Sequence, residues 1–432
     1  EFSDKLDKLS TFSHPMSREA FASCFHGRKK ERYETACEVL GIYGIRKKDA
    51  HLKFFMKFET YDFVAKPNPV PRGINPRSDQ YLVEFGRYIR PIEKLMYRNI
   101  ASVFGYTVVM KGLNQAQRGK LIHEHWTSFR RPRGIMIDAS RFEQSVLEQA
   151  LRWPHGRYSQ YYPGSRHFSR LCGMQINNIG KARCQDGFLS FRIKARRASG
   201  DPDTALGNCT LSAGMIYSVM KHLGITKYRV FLDGDDVGVI LEDEDVEKFM
   251  DNAGLWYSEM GFRMKVENPV DVIEQIDFCQ SRPVFIDGGY LMVRNVRNAA
   301  SKDAVSKTPL TSDKLMKRWF AAIGMGGVSL TGGVPVAQSY YGCALRNSEG
   351  ETPLDGAFDD YAMENKFRGM NRCMTMVSEE TRYSFWLAFG ILPDEQIQLE
   401  QYYDALKLSF GNQKSLMLDS HPIWGSENSP LT

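Results

Sequence analysis

The sequence is poor in the marks of a disulfide scaffold, a zinc module or a membrane span. Its eight cysteines, at 24, 37, 172, 184, 209, 279, 343 and 373, include no CxxC pair. That spacing excludes zinc-ribbon and thioredoxin-like sites and fits reduced thiols. No run of about 18 uninterrupted apolar residues occurs, so no segment reads as a transmembrane helix. There is no internal repeat, no low-complexity tract and no basic-then-apolar leader. The chain begins at Glu1 rather than Met, which suggests a fragment or a processed product. Histidines are few, nine in all. His51, His123, His125 and His155 show no metal-ligand spacing, and the alternation of His123 and His125 predicts one face of a surface strand. Gly324, Gly326 and Gly327 form a GxGG too weak for a dinucleotide site, because no strand with an acidic end follows at the required distance. They read as part of glycine-rich turns at 324–333.

What is present describes a large folded protein. The 432 residues are 42% apolar and 25% charged, with 26 Phe and 20 Tyr to build cores. This excludes a disordered or collagen-like chain, and the length suits roughly three domains. The net charge of +6 is unevenly spread. Residues 1–133 hold 25 Lys/Arg against 14 Asp/Glu, and the remainder holds 32 against 37. A basic first third predicts a polyanionic partner.

The pattern along the chain mixes helices and strands. A basic helical segment spans 17–50. Lys66-Pro67-Asn68-Pro69-Val70-Pro71-Arg72 breaks any helix and reads as a stiff extended loop. Helical spacing returns over 80–104. A short strand, 134–137, ends at Asp138, and one helix is predicted through Phe142, Val146, Leu147 and Ala150. Residues 189–195 suggest a strand, and 203–223 form the clearest helix, with Ile216, Val219, Met220 and Leu223 as its stripe. Strands 228–232 and 237–241 are joined by Asp233-Gly234-Asp235-Asp236, a hairpin signal. A helix over 245–261 and strands within 263–295 follow, and helices dominate from about 310.

Three segments carry a chemistry together that none carries alone. Ile137-Asp138-Ala139-Ser140-Arg141-Phe142-Glu143 puts an aspartate at a strand end. Ser199-Gly200-Asp201-Pro202-Asp203-Thr204 feeds a long helix that includes Asn208. Gly234-Asp235-Asp236 tips a hairpin. Carboxylates from different strands can hold two divalent metals about 3.5–4 Å apart for in-line phosphoryl transfer. Hard oxygen donors suit Mg²⁺. Asp138 and Asp235 are the expected shared ligands, with Asp236 as an accessory. Like charges side by side are costly unless cations neutralise them.

The order D-x₄-[D/E], SGD-x₂-T-x₃-N, GDD resembles motifs A, B and C of the RNA-dependent RNA polymerases of positive-strand RNA viruses. Residues 65–77 resemble the basic fingertip motif F of the Tombusviridae enzymes, and Tyr81 to Glu93, with its Val-Glu-Phe-Gly-Arg-Tyr run, is similar to the same group. Phe262 to Glu267 is similar to motif D and Asp277 to Pro283 to motif E. Leu330-Thr331-Gly332-Gly333-Val334-Pro335 and Ala388-Phe389-Gly390-Ile391 resemble the C-terminal portion. The likeness covers about residues 55–400 in the family's order.

The resemblance implies an α+β right-hand polymerase with an antiparallel palm sheet and a mostly helical thumb. It implies fingers and fingertips at 1–132, palm at 133–150 (motif A), a fingers insertion at 151–195, palm at 196–290 (motifs B to E) and thumb at 291–432. It implies template-directed RNA synthesis from NTPs with Mg²⁺ or Mn²⁺, initiated without a protein primer. Lys57, Lys66, Arg72 and Arg77 are expected to hold the triphosphate, and Arg suits phosphate because it binds it bidentately. Lys265 is the candidate general acid for pyrophosphate. Glu143, Ser199, Thr204 and Asn208 are expected at the ribose, whose 2′-hydroxyl distinguishes RNA, and Gly200 lets backbone approach the nascent pair. Phe278 and Cys279 are expected to grip nascent RNA. Two departures, Glu143 where Asp is usual and Pro202-Asp203, fall in the sugar-recognition region. Expected partners are single-stranded RNA template, nascent RNA, NTPs and viral and host replication factors. Expected localisation is membrane-associated replication complexes of the host cytoplasm, anchored through an upstream region. The rivals are a reverse transcriptase, sharing the two-carboxylate palm, and a non-catalytic RNA-binding scaffold.

Overall fold

The computed structural model describes residues 1–57, 59, 67–306, 309–354 and 368–409. Its contacts divide the chain into two units. The first comprises Glu1–Lys57, Val70–Lys111 and Met136–Asn268, and the second comprises Phe58–Pro69, Gly112–Ile135 and Pro269–Thr432.

The first unit opens with helices α1 (Phe2–Lys8), α2 (Arg18–Ala22) and α3 (Gly27–Tyr43). Strands β1 (Leu52–Met56) and β2 (Gly73–Ile74) follow, then the long helix α4 (Asp79–Phe104). The Ser78 hydroxyl accepts from the Tyr81 N–H to start α4, and Gly105 ends it in the left-handed region, as capping chemistry requires. The aromatic and aliphatic face of α4, including Tyr81, Phe85, Ile89 and Ile92, is fully buried.

Two sheets belong to this unit. One has the order β2-β1-β4-β5 and includes strands β4 (Asn177–Cys184) and β5 (Gly187–Lys194). The other has the order β6-β7-β3-β8. Its strands are β3 (Pro132–Ala139), β6 (Tyr228–Asp233), β7 (Asp236–Glu242) and β8 (Met264–Val266). The β6–β7 hairpin is antiparallel, with Val230 opposite Val239 and Asp233 opposite Asp236. β3 lies between β7 and β8, and Asp138 sits opposite Lys265.

Helices α9 (Thr204–Leu223) and α10 (Asp243–Glu259) pack on the second sheet's side of the unit. The predicted single helix after Asp138 is instead two, α6 (Phe142–Ser145) and α7 (Glu148–Ser159), interrupted at Val146-Leu147. Val146 is buried there with ψ +81, outside the helical region. A short helix, α8 (Arg166–Gly173), completes this stretch.

The second unit contains α5 (Gln115–Thr127), the hairpin of β9 (Ser281–Ile286) and β10 (Gly289–Arg294), and α11 (Val296–Asp303). It continues with α12 (Asp313–Thr331), α13 (Ala337–Asn347) and helices Glu379–Phe389 and Pro393–Ala405. Its core joins Val284, Leu291 and Val293 of the hairpin to Phe385, Phe389, Leu399 and Tyr403 of the last helices.

Two expectations are corrected in this unit. His123 and His125 lie on α5, not on a strand, because the Asn114–Gln117 capping box starts a helix through them. His125 is buried rather than on the surface. Gly324, Gly326 and Gly327 are not a turn: α12 runs through them to Thr331. A Cβ at Gly327 would collide with the Tyr341 ring, and one at Gly324 with Leu345. Gly324 and Gly327 let α12 and α13 approach, and the turn lies beyond them, from Gly332 to Val336.

Candidate active site

The β6–β7 ladder closes at Asp233 opposite Asp236, so the turn between them is only Gly234-Asp235. The predicted four-residue link is thus tightened to two. Gly234 takes φ +77, as the first central residue of a primed hairpin turn does. This geometry lifts Asp235 to the tip of the sheet.

Asp138 is placed at the exposed end of the neighbouring strand β3. Glu143 follows it on α6 and is half-buried. Burial pushes the Asp235 carboxyl up to about 6, and the negative charges of Glu143, Asp236 and Asp138 push the same way. Three acids from two chain segments, 138–143 and the hairpin tip, therefore bear on Asp235 at the sheet end. Among the described residues no three His, Cys, Asp or Glu side chains already converge into a cage. An acid cluster of hard oxygens, open to water and substrate, fits Mg²⁺, which takes one or two carboxylates and keeps its other positions for water and phosphate.

Lys265 stands opposite Asp138 across the β3–β8 ladder, so both side chains share a face. Its side chain is 70% exposed and lies 3.7 Å from Glu267. The Ser140 N–H donates to the Arg263 carbonyl and ties the same two segments together.

Helix α9 locks the turn from beneath. The Ser212 hydroxyl donates to the Gly234 carbonyl at 2.8 Å, and the Gly234 N–H donates to Cys209 Sγ at 3.2 Å. Burial and the charge of Asp233 push the Cys209 thiol up to about 12. Lys111 lies 3.4 Å from Asp233, whose charge raises the lysine's pKa against its own desolvation. Sequence reading did not find Cys209, Ser212 or Lys111. The only available signal was the spacing of 209 and 212, one helical turn apart on the face that follows Asn208.

The segment before α9 is held by a buried polar network. Arg77 Nε donates to Asp201 at 2.8 Å, and its Nη1 donates to the Ala50 carbonyl at 2.6 Å. Gln175 bridges Asp201 and Asp203 at 3.0 Å each. Arg197 pairs with Asp203 at 2.6 Å, and His155 meets Gln175 at 2.7 Å. Burial alone would raise the Asp203 pKa; the Arg197 charge and the hydrogen bonds from His155 and Gln175 hold it below the ordinary range.

Arg77 is only 3% exposed. Its Nε and Nη1 are held by Asp201 and Ala50 inside the protein and its Nη2 is buried without a hydrogen-bond partner, so the side chain stands away from solvent where the sequence predicts a triphosphate contact. The other basic candidates differ. Lys57 and Arg72 are exposed at the end of the β1–β2 pair, where the Lys57 N–H donates to the Arg72 carbonyl. Lys66 lies outside the described residues.

Gly200 is exposed, with φ +112, and packs over Pro76. Ser199 is half-buried beside it. The Thr204 hydroxyl donates to the Ala198 carbonyl at 3.1 Å. Asn208 is buried, and its Oδ1 has no hydrogen-bond partner, a costly state for a polar atom unless a ligand supplies a donor.

In the second unit, Cys279 and Gln280 take φ +52 and +60 between Phe278 and Ser281, which bond to each other in both directions. This is a tight two-residue turn. Phe278 is 1% exposed and lies under the Arg118 guanidinium. The ring, expected at nascent RNA, is packed inside this unit. Cys279 is half-buried at the turn.

Residues 1–411 match the family described as viral RNA dependent RNA polymerase. The chain is similar to the RNA-directed RNA polymerase of Tobacco necrosis virus (strain D), 38% identical over 96% of this chain and 58% of that protein. It is similar to the enzymes of the same name from Turnip crinkle virus, 36% identical over 94% of this chain and 52% of the relative, and Cucumber necrosis virus, 36% over 95% and 49%. The chain thus spans about half the length of the curated relatives it matches.

Proposed function

Because the chain belongs to the viral RNA-dependent RNA polymerase family, we propose that it copies single-stranded RNA from NTPs at the end of the β6-β7-β3-β8 sheet. The observation that carries this reading is the convergence on Asp235, whose carboxyl is raised to about 6 by burial, Glu143, Asp236 and Asp138. Such a cluster is built to receive positive charge. Asp138 and Asp235 hold Mg²⁺ or Mn²⁺ and Asp236 supports them; when bound, the ions lower the pKa of the attacking 3′-hydroxyl and neutralise the triphosphate.

The remaining roles belong to the chain itself. Lys57, Lys66 and Arg72 draw in and hold the triphosphate. Lys265, on the face it shares with Asp138, holds the proton that the leaving pyrophosphate takes. Glu143, Ser199, Thr204 and the unpartnered Asn208 amide oxygen recognise the ribose, and Gly200 leaves room for the nascent pair. Cys279 sits near the nascent strand. Initiation proceeds without a protein primer. In a right-hand arrangement the two sheets of the first unit serve palm and fingers, and the helices after α11 serve as thumb. Among the described residues no helix is long and apolar enough to cross a membrane. Viral and host replication factors belong to the same reading as partners, with membrane association through an upstream region.

The test is incorporation of labelled NTP on a single-stranded RNA template with Mg²⁺ or Mn²⁺. Asp138→Asn and Asp235→Asn should each lower incorporation by on the order of 10³-fold or more, since each removes a metal-holding charge. Equal activity in parent and variants would remove the site assignment. Preference for dNTP over NTP would favour reverse transcription instead.

A further inference from the structure

The β2-β1-β4-β5 sheet gathers its charge on one face. The register fixes which residues share it. Lys53 is aligned with Lys181, and Arg183 lies two residues beyond Lys181 on β4. Across the β4–β5 hairpin, Arg183 is opposite Phe188, Ile179 opposite Arg192, and Asn177 opposite Lys194. Side chains alternate along strands and match across ladders. All five cations of the four strands therefore point to one side, together with Phe55 and Phe188.

No strand of this sheet contains an acidic residue; Asp186 lies in the β4–β5 turn. Lys194 is engaged by Glu148 at 2.6 Å. Lys53, Lys181, Arg183 and Arg192 are exposed, and none makes an ion pair or a side-chain hydrogen bond with the described residues. The two rings are 51% and 75% exposed. The opposite face is uncharged: Leu52, Asn178 and Ala182 are buried there, Gly180 admits the Phe191 ring, and Met56, Leu189 and Ile193 stand exposed on its outer part.

A solvated sheet face accounts for charges of mixed sign. It does not account for cations of one sign without counter-charges, set beside two bare phenylalanine rings. Cations two residues apart on a strand are about 7 Å apart, and they follow a chain of phosphates. Exposed rings among them offer platforms for unstacked bases.

We propose that the Lys53/Lys181/Arg183/Arg192 face, with Phe55 and Phe188, is a single-stranded RNA-binding surface separate from the carboxylate site. Its cations track the backbone and its two rings stack on bases without reading sequence. This inference rests on the reading of RNA as the chain's partner. It assigns that partner a place on β1, β4 and β5 that no motif in the sequence marks.

The test measures equilibrium binding of a fluorescent single-stranded oligoribonucleotide to the full chain across a salt series, in EDTA so that catalysis plays no part. Lys181→Ala/Arg183→Ala/Arg192→Ala should weaken binding about 10- to 100-fold. It should also flatten the salt slope by about 2, at roughly 0.7 per phosphate lost on a single strand. Phe55→Ala/Phe188→Ala should weaken single-strand binding about 10-fold or more with the slope unchanged, and should leave duplex RNA binding untouched. The conservative variant Lys181→Arg/Arg192→Lys should bind as the parent does, and thermal melts of all variants should match it.

Parent-like affinity and slope in the triple variant would overturn the proposal. So would a triple variant that loses affinity while the ring variant does not, since that describes a mere polyanion patch. A parent chain that binds no RNA at all would overturn both this inference and the RNA-partner reading. Incorporation of NTP by the triple variant at saturating template, with a raised KM for RNA and unchanged kcat, supports the surface and leaves the carboxylate site standing.

Discussion

Asp235 owes its position to two neighbours that carry no charge. Cys209 Sγ accepts from the Gly234 N–H and Ser212 donates to the Gly234 carbonyl, so both polar groups of that peptide unit's glycine are held by one face of α9. They are positioning residues. Ser212→Ala and Cys209→Ala should each lower kcat for NTP incorporation by about 10- to 100-fold with KM for NTP little changed, because a small misplacement of a reacting group is costly. Cys209→Ser should restore most of the loss, since a hydroxyl also accepts from the glycine N–H; a serine variant as impaired as the alanine one would assign Cys209 to packing alone. Burial is also what the sequence could not show for two of the candidate residues. Arg77 and Phe278 sit in segments whose local pattern is basic or aromatic, and nothing local says that Asp201 or the second unit's core consumes them. The aspartates were legible because a Gly-Asp-Asp hairpin tip and a strand-end Asp are local features.

At the scale of elements, α4 is a hub for the helices around it. Glu84, in its first half, accepts from Arg18 at 2.7 Å and from Arg87 at 3.0 and 3.2 Å, and meets His167 of α8 at 2.8 Å. Burial disfavours this carboxylate, but the hydrogen bonds from His167, Arg18 and Arg87 overcome it and lower its pKa from 4.5 to about 2. A folded-state pKa below the unfolded one gives stability that is fully present above about pH 4.5 and lost as pH falls toward 2. The contribution is about 3 kcal/mol in order of magnitude. Urea midpoints measured from pH 6 to pH 3 should fall more steeply for the parent than for Glu84→Gln, which should be less stable at pH 6 and converge with the parent in acid. Parallel curves would mean that Glu84 has no part in the acid response. Helix limits such as those of α4 and α9 were readable because caps and apolar stripes are written in neighbouring residues. The glycines of α12 were misread for the opposite reason. Their local signal is a turn, and the need to admit Tyr341 and Leu345 from α13 overrides it.

At the scale of the whole chain, the first unit is sewn from distant segments. Phe2 of α1 is buried among Phe104, Trp153 and Tyr217, with ring centroids 5.3 to 6.2 Å away. The amino-terminal helix therefore closes a core that also needs residues more than two hundred positions later. Phe2→Ala should cost about 3–5 kcal/mol, the usual penalty for emptying a buried aromatic site. The check is the thermal midpoint of the first transition; a midpoint unchanged from the parent would show α1 to be dispensable. The mixture of helices and strands and the antiparallel β6–β7 hairpin followed from patterns in the sequence, whereas the parallel pairing of β1 with β4 had no local signal. The division into two interleaved units did not, because the return of 112–135 to the company of the chain after 269 is a matter of tertiary contacts alone.

The Arg77–Asp201 pair has a genetic consequence. The two positions are 124 residues apart in the chain, yet neither can change alone without stranding a buried charge, a loss of about 3–5 kcal/mol. Mutation samples mostly single substitutions, and every single step away from this pair leads downhill. The two codons should therefore behave as one heritable unit, changing together or not at all, and a paired apolar exchange should be tolerated where either half is not.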